Sequence, residues 1–200
     1  MKVLKSLSPL KTRTALAGIL MAAAFLSPAA AARTGGSPEA VVNTAVERTL
    51  AALEDAKISN QEADSILELI DVDRVAPFTM GRHWRTMDEA TKGEFIDAFR
   101  KFARGQLQEH LSGFSQADVE ILRTLERRPG DTIVTMKVSN GDADEHLVSW
   151  RVTDNDGWKV TDIETMGLWF AIEQRAQFQA MLDKNGGNIR ELISEIASAR

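Results

Sequence analysis

Apolar positions recur with a period near 3.6 from residue 38 to about residue 113. The period then becomes 2 as far as residue 166, and returns to 3.6 over the rest of the chain. In the first block, "SPEAVVNTAVERTLAALED" offers Ser37 as an N-cap and Pro38 at the first helical position. Val42, Val46, Leu50 and Leu53 follow at helical spacing. "NQEADSILELI" places Ala63, Ile66, Leu67 and Ile70 on one face. "DRVAPFTMG" reads as a short helical turn that Gly81 stops, with Pro77 limiting its regularity. "TMDE" has the form of a capping box between Thr86 and Glu89, which predicts a helix over about 87–111. Its stripe of Phe95, Ile96, Phe99, Phe102, Ala103, Leu107 and Leu111 is wide enough to be buried against more than one neighbour.

Four strands are predicted next: "DVEILRTLER", "DTIVTMKVSN", "EHLVSWRVTD" and "GWKVTDIETM". The turn signals "RPGD", "NGDADE" and "DNDG" separate them. Val134, Met136 and Val138 share one face of their strand, as Val148, Trp150 and Val152 share one face of theirs, which implies an antiparallel meander with one apolar side. After Gly167, "LWFAIEQRAQFQAML" offers Leu168, Ile172, Phe178 and Leu182 on one side of a helix. "NGG" ends it and "NIRELISEIAS" forms the last helix. Helices at about 38–113, a sheet at about 117–166 and helices at about 168–199 define an α+β domain. Its curved, antiparallel, four-stranded sheet is partly covered by helices.

The first 32 residues stand outside this pattern. Lys2, Lys5, Lys11 and Arg13 precede an apolar run, Ala15 to Leu26, and then "SPAAAA". That is the layout of a cleavable signal peptide, and the run is shorter than the roughly 20 residues of a membrane span. Cleavage near Ala31 or Ala32 removes four basic residues and no acid, taking the formal net charge from −5 to −9. A single domain over 33–200 is then expected in the periplasm, too acidic for nucleic acid to be its partner. The chain contains no cysteine, so disulfides, thiolate ligands and a lipid-modified cysteine are excluded.

Candidate chemistry is sparse. His83, His110 and His146 are far apart and have no metal-ligand spacing. The stretch "GRHWRTMDEATKGEF" concentrates charge and aromatics, but no base, nucleophile or ligand set joins His83. "DVD" and "DNDG" lack the remaining positions of a calcium loop. No G-x-S-x-G is present. Asp162, between Val160 and Met166, is the best candidate for acid–base work, with a backbone or arginine hydrogen-bonding role as the alternative. The many aromatics and methionines of the helices and strands describe either a filled core or the wall of an apolar cavity, and periodicity cannot separate the two. If a cavity exists, facing nominates Phe78, Trp84, Phe99, Phe102, Val134, Met136, Val148, Trp150, Ile163 and Leu168 as its lining.

Several ordered landmarks resemble one family. Gly81 and Trp84 fit a G-x-x-aromatic step, and Phe95 and Phe99 an F-x-x-x-F. Trp158, Asp162 and Gly167 fit a strand ending W-x-V-x-D-x-x-x-x-G, and Arg175 and Phe178 an R-x-x-F. From about Pro38 to Ser198 the chain resembles MlaC, the toluene-tolerance family, which is the periplasmic lipid-binding component of the Mla phospholipid transport system. It departs in having no tyrosine, with His83 and Trp84 where the family often places one, and in Glu164 where an aliphatic residue is expected.

The resemblance implies a cone related to the nuclear-transport-factor and cystatin folds, with an added helical lobe. It also implies a monomeric carrier with no catalysis and no cofactor other than its phospholipid cargo. The implied partners are an inner-membrane ABC transporter with a lipid-binding subunit and an outer-membrane lipoprotein–porin complex. A hopanoid-associated branch is similar in sequence. A small-molecule isomerase or hydrolase on the same cone, or an interaction module with a filled core, are the other readings.

Overall fold

The computed structural model describes residues 36–54, 57–110, 117–139 and 145–199. The expected signal segment and most of the "NGDADE" turn lie outside the described residues. Among the described residues, six α-helices and five strands follow one another as α1 (Pro38–Ala52), α2 (Asn60–Leu67), α3 (Val72–Met80), α4 (Glu89–His110), β1 (Asp118–Arg128), β2 (Asp131–Ser139), β3 (Glu145–Asp154), β4 (Trp158–Thr165), β5 (Leu168–Trp169), α5 (Phe170–Lys184) and α6 (Ile189–Ser198). A 3₁₀ helix, Gly81–Thr86, joins α3 to α4.

Helices α1, α2, α4 and α6 begin where a side chain takes up a free amide. The Ser37 hydroxyl accepts from the Ala40 amide at 3.2 Å, and Pro38 opens α1 where no intrahelical donor is needed. The reciprocal capping box is at α2: Ser59 accepts from the Glu62 amide, and the Glu62 carboxylate accepts from the Ser59 amide at 2.7 Å. The box expected at Thr86 and Glu89 does not form. Asp88 is the cap of α4, accepting from the Thr91 amide at 2.7 Å, while the Thr86 hydroxyl donates to the His83 carbonyl at 2.8 Å. The 3₁₀ turn carries Thr86 past the start of the helix, so the acidic residue two positions later reaches the open amides instead.

The strands form an antiparallel meander in the order β1-β2-β3-β4-β5. Five strands stand where four were expected. Met166 and Gly167 both have positive φ, the backbone a two-residue hairpin needs, so Leu168 pairs back with Thr165. The link between α2 and α3 adds a further rung at β4. The Asp71 amide donates to the Val160 carbonyl at 2.8 Å, and the Val160 amide donates to the Leu69 carbonyl at 2.9 Å.

Two principal cores result. One lies on the inner face of the sheet, where Val134, Met136, Val138 and Val152 meet Val42 of α1. The other is helical, formed by α3 to α6 around Phe95, Phe99, Phe178, Leu182, Leu192 and Ile196. Phe178 is its hub, with ring centroids 6.1 Å from Phe95, 6.3 Å from Phe99 and 5.7 Å from Phe102. The α5 face expected from Leu168 and Ile172 is corrected: both are exposed, and Ala171, Gln174, Phe178 and Leu182 are buried. Leu168 belongs to β5, so the helix starts two residues late and with a different phase.

Candidate functional site: an apolar cavity under the first helices

Between α1, α2 and the inner face of the sheet lies a cavity of about 270 Å³. From α1 it is lined by Ala45, Val46, Thr49 and Leu50. Ile66 and Ile70 close one side, and Leu107 near the end of α4 another. The sheet contributes Val119 from β1 with Ala117 just before it, Met136 and Val138 from β2, Val148 and Trp150 from β3, and Val160, Ile163 and Thr165 from β4. The register explains this set. Ile121, Met136, Val148 and Thr165 form one cross-strand row, and Val134, Trp150 and Ile163 the next. None of the lining residues is ionisable. Even the indole donor of Trp150 is turned into the wall, where Nε1–H donates to the Met136 sulfur at 3.0 Å.

Met136, Val148, Trp150 and Ile163 are therefore brought together on the cavity wall. The structure places the other nominated residues elsewhere. Val134 sits on the same face but is sealed in the sheet core. Phe99 and Phe102 belong to the helical core, because α4 turns its aromatic stripe toward α5 and α6. Trp84 packs edge-on to Phe95 at 6.3 Å, with the Lys92 ammonium 5.6 Å above its ring. Phe78 is 43% exposed beneath the Arg175 guanidinium, and Leu168 is 59% exposed. The wall supplied by α1 was not nominated. Val46 and Leu50 carried the helical signal, but Ala45 and Thr49 are too small and too ordinary to stand out.

A smaller space of about 150 Å³ lies on the other side of β4, against α3 and α5. Arg74, Phe78, Arg151, Thr161 and Asp162 border it. Asp162 is thus outside the apolar cavity. Its Oδ1 accepts from the amides of Ile163 and Ala171, each at 2.9 Å, which ties β4 to the first turn of α5. Burial raises its carboxyl above the ordinary carboxylate range, opposed by the two amides and by the charge of Arg151. Arg151 itself is held by a bidentate pair with the buried Asp131, both contacts at 2.9 Å. That partner lowers the Asp131 pKa.

The resemblance motifs meet physically at one point. Gly81 has φ +56°, and a Cβ there would come within 2.8 Å of Arg175 Nη2. His83 stays at the surface, next to the Arg82 side chain. Among the described residues no group of three or more His, Asp or Glu side chains could hold a metal ion, and no helix is long and apolar enough to cross a membrane.

Comparison with known proteins places this arrangement. No curated protein matches the sequence. The phospholipid-binding protein from Ralstonia solanacearum, solved in complex with a phospholipid, superposes with a TM-score of 0.68 at 23% identity, covering 82% of this chain and 100% of its own. That likeness establishes a shared fold. The family model of the MlaC protein matches residues 40–198. The chain belongs to the MlaC protein family.

Proposed function

We propose that this protein is a lipid carrier that shelters phospholipid acyl chains in the cavity beneath α1. In this reading it acts in the periplasm after loss of its signal segment. It is the soluble component of an ABC-type transport system and moves lipid between an outer-membrane lipoprotein–porin complex and an inner-membrane lipid-binding subunit. The observation that carries the reading is the wall itself: residues from four strands and three helical segments converge on one space without an ionisable group. A wall of that kind rewards hydrocarbon, at about 0.8 kcal/mol for each buried CH₂. It offers no base or nucleophile to a substrate. Family membership and the fold shared with the Ralstonia solanacearum protein, which holds a phospholipid, support the same reading.

The volume adds a mechanical requirement. About 270 Å³ falls below the roughly 300–1,000 Å³ usual for small-molecule sites, and two long acyl chains exceed it. Loading therefore widens the gap between α1 and the sheet. Ala45 and Thr49 present small side chains to the cavity at that point.

Extraction and mass spectrometry of gently purified protein test the proposal directly. A stoichiometric two-chain phospholipid is expected, together with uptake from vesicles by delipidated protein. Val148→Trp fills the cavity from the middle of β3 and is expected to abolish uptake with little change in circular dichroism. Lipid-free preparations that also fail to load from vesicles would overturn the reading.

A further inference from the structure

Among the described residues, the cavity wall becomes more exposed toward one end. Along β2, exposure rises from Val134 at 0% through Met136 at 1% to Val138 at 9%. Along β4, Val160 is buried, Ile163 is half-buried and Thr165 is exposed. Both gradients point to the end where β2 finishes, β3 starts and β4 finishes. A lipid that enters tails first leaves its headgroup there.

His146 stands at that end on the cavity side. It pairs with Val138, which pairs in turn with Val119, and both valines line the cavity. Two residues along a strand span about 6.8 Å, so the imidazole lies one side-chain row outward from Val148. His146 is half-buried. Among the described residues, the charged side chains of the neighbouring strands do not engage it. Lys137 bonds Glu145 at 3.3 Å and Glu120 at 3.7 Å, and alternation puts all three on the opposite face. The described cavity wall otherwise offers only the hydroxyls of Thr49 and Thr165.

Resting on the lipid-carrier reading, we infer that His146 binds the phosphate of the cargo, its ring N–H donating to a phosphodiester oxygen at the cavity rim. The apolar wall then selects for hydrocarbon, and this one side chain selects for phospholipids over neutral lipids of equal chain length. A hydrogen bond to a charged oxygen at a half-buried position corresponds to a preference of about 5- to 10-fold.

The test loads delipidated protein from vesicles containing phosphatidylcholine or, separately, diacylglycerol with the same acyl chains. Wild-type protein is expected to favour phosphatidylcholine. His146→Leu should lose about 5- to 10-fold in phosphatidylcholine uptake, with diacylglycerol uptake and melting temperature unchanged. His146→Gln, which keeps a side-chain N–H donor, should recover part of the preference. An unchanged preference in His146→Leu overturns the inference while leaving the carrier reading intact. If wild-type protein takes up neither lipid, the carrier reading fails and the inference with it. Titration with inorganic phosphate, followed by the imidazole NMR signals, separates the two sources of phosphate. Saturable binding of free phosphate at millimolar concentration would point to a soluble anion and overturn the assignment to lipid.

Discussion

Asp162 Oδ1 accepts the Ala171 amide at 2.9 Å, so a carboxylate within β4 takes up an amide in the first turn of the helix that begins eight residues later. The same oxygen takes the Ile163 amide at 2.9 Å. The position that could have been a catalytic base in the sequence is a structural clasp between β4 and α5.

Because burial raises the Asp162 pKa in the folded protein, the folded state holds this proton more tightly than the unfolded chain does. The resulting stabilisation is complete below the ordinary carboxylate range and is lost as pH rises through the folded value. Asp162→Asn keeps an acceptor for both amides and carries no charge. Its stability relative to wild type should therefore rise as pH increases above the ordinary carboxylate range, as read by urea denaturation. Asp162→Ala strands the two amides and should lower stability by about 2 kcal/mol. A pH-independent difference for Asp162→Asn would refute the burial argument.

Asp131 is a contrasting case. Its pKa is lowered, first by the hydrogen bonds from Arg151, so its contribution is present at neutral pH and is lost as pH falls through the folded value. Asp131→Ala leaves the Arg151 guanidinium without its bidentate partner and should cost about 3 kcal/mol at pH 7. That difference should shrink in acid. Chemical denaturation at pH 7 and near pH 3 checks both statements.

Gly81→Ala should destabilise by about 1–2 kcal/mol, because Gly81 holds φ +56°. The Arg175 guanidinium is also close, but it is the end of a flexible side chain. In the Arg175→Ala background most of the penalty should remain. Complete relief there would show that crowding, rather than backbone strain, requires glycine at this corner.

Met166 is the one non-glycine residue at positive φ among those described, at 51°, and it is 83% exposed. Asparagine tolerates this conformation better. Met166→Asn should raise stability by about 0.5–1 kcal/mol, equivalent to a few degrees in Tm for a domain of this size. No gain in a thermal melt would count against the strain.

Local interactions made much of the fold legible. Ser37 and Pro38 start α1, alternation marks β1 to β4 to within about a residue, and Gly81 ends α3 where its positive φ is needed. These features depend on neighbours within a few positions along the chain. The Thr86 box failed because two possible caps stand two residues apart, and only the path of the 3₁₀ turn selects Asp88. β5 was hidden because its hairpin carries a methionine where asparagine or glycine would have announced it.

The cavity is a different kind of fact. Hydrophobic period records that a side chain is buried and gives its face, but not what that face meets. Phe99, Phe102 and Val148 carry the same signal, yet the first two fill a helical core and the third lines the cavity. Residues alone thus settled most of the elements and the apolar side of the sheet. Tertiary structure alone decided that α1 rather than α4's aromatic stripe covers the sheet, that Asp162 faces away from the cavity, and that His146 stands at its rim. Those outcomes depend on packing between segments far apart in the chain, such as Ala45 and Thr165, where burial depends on the partner surface and the distance left between them.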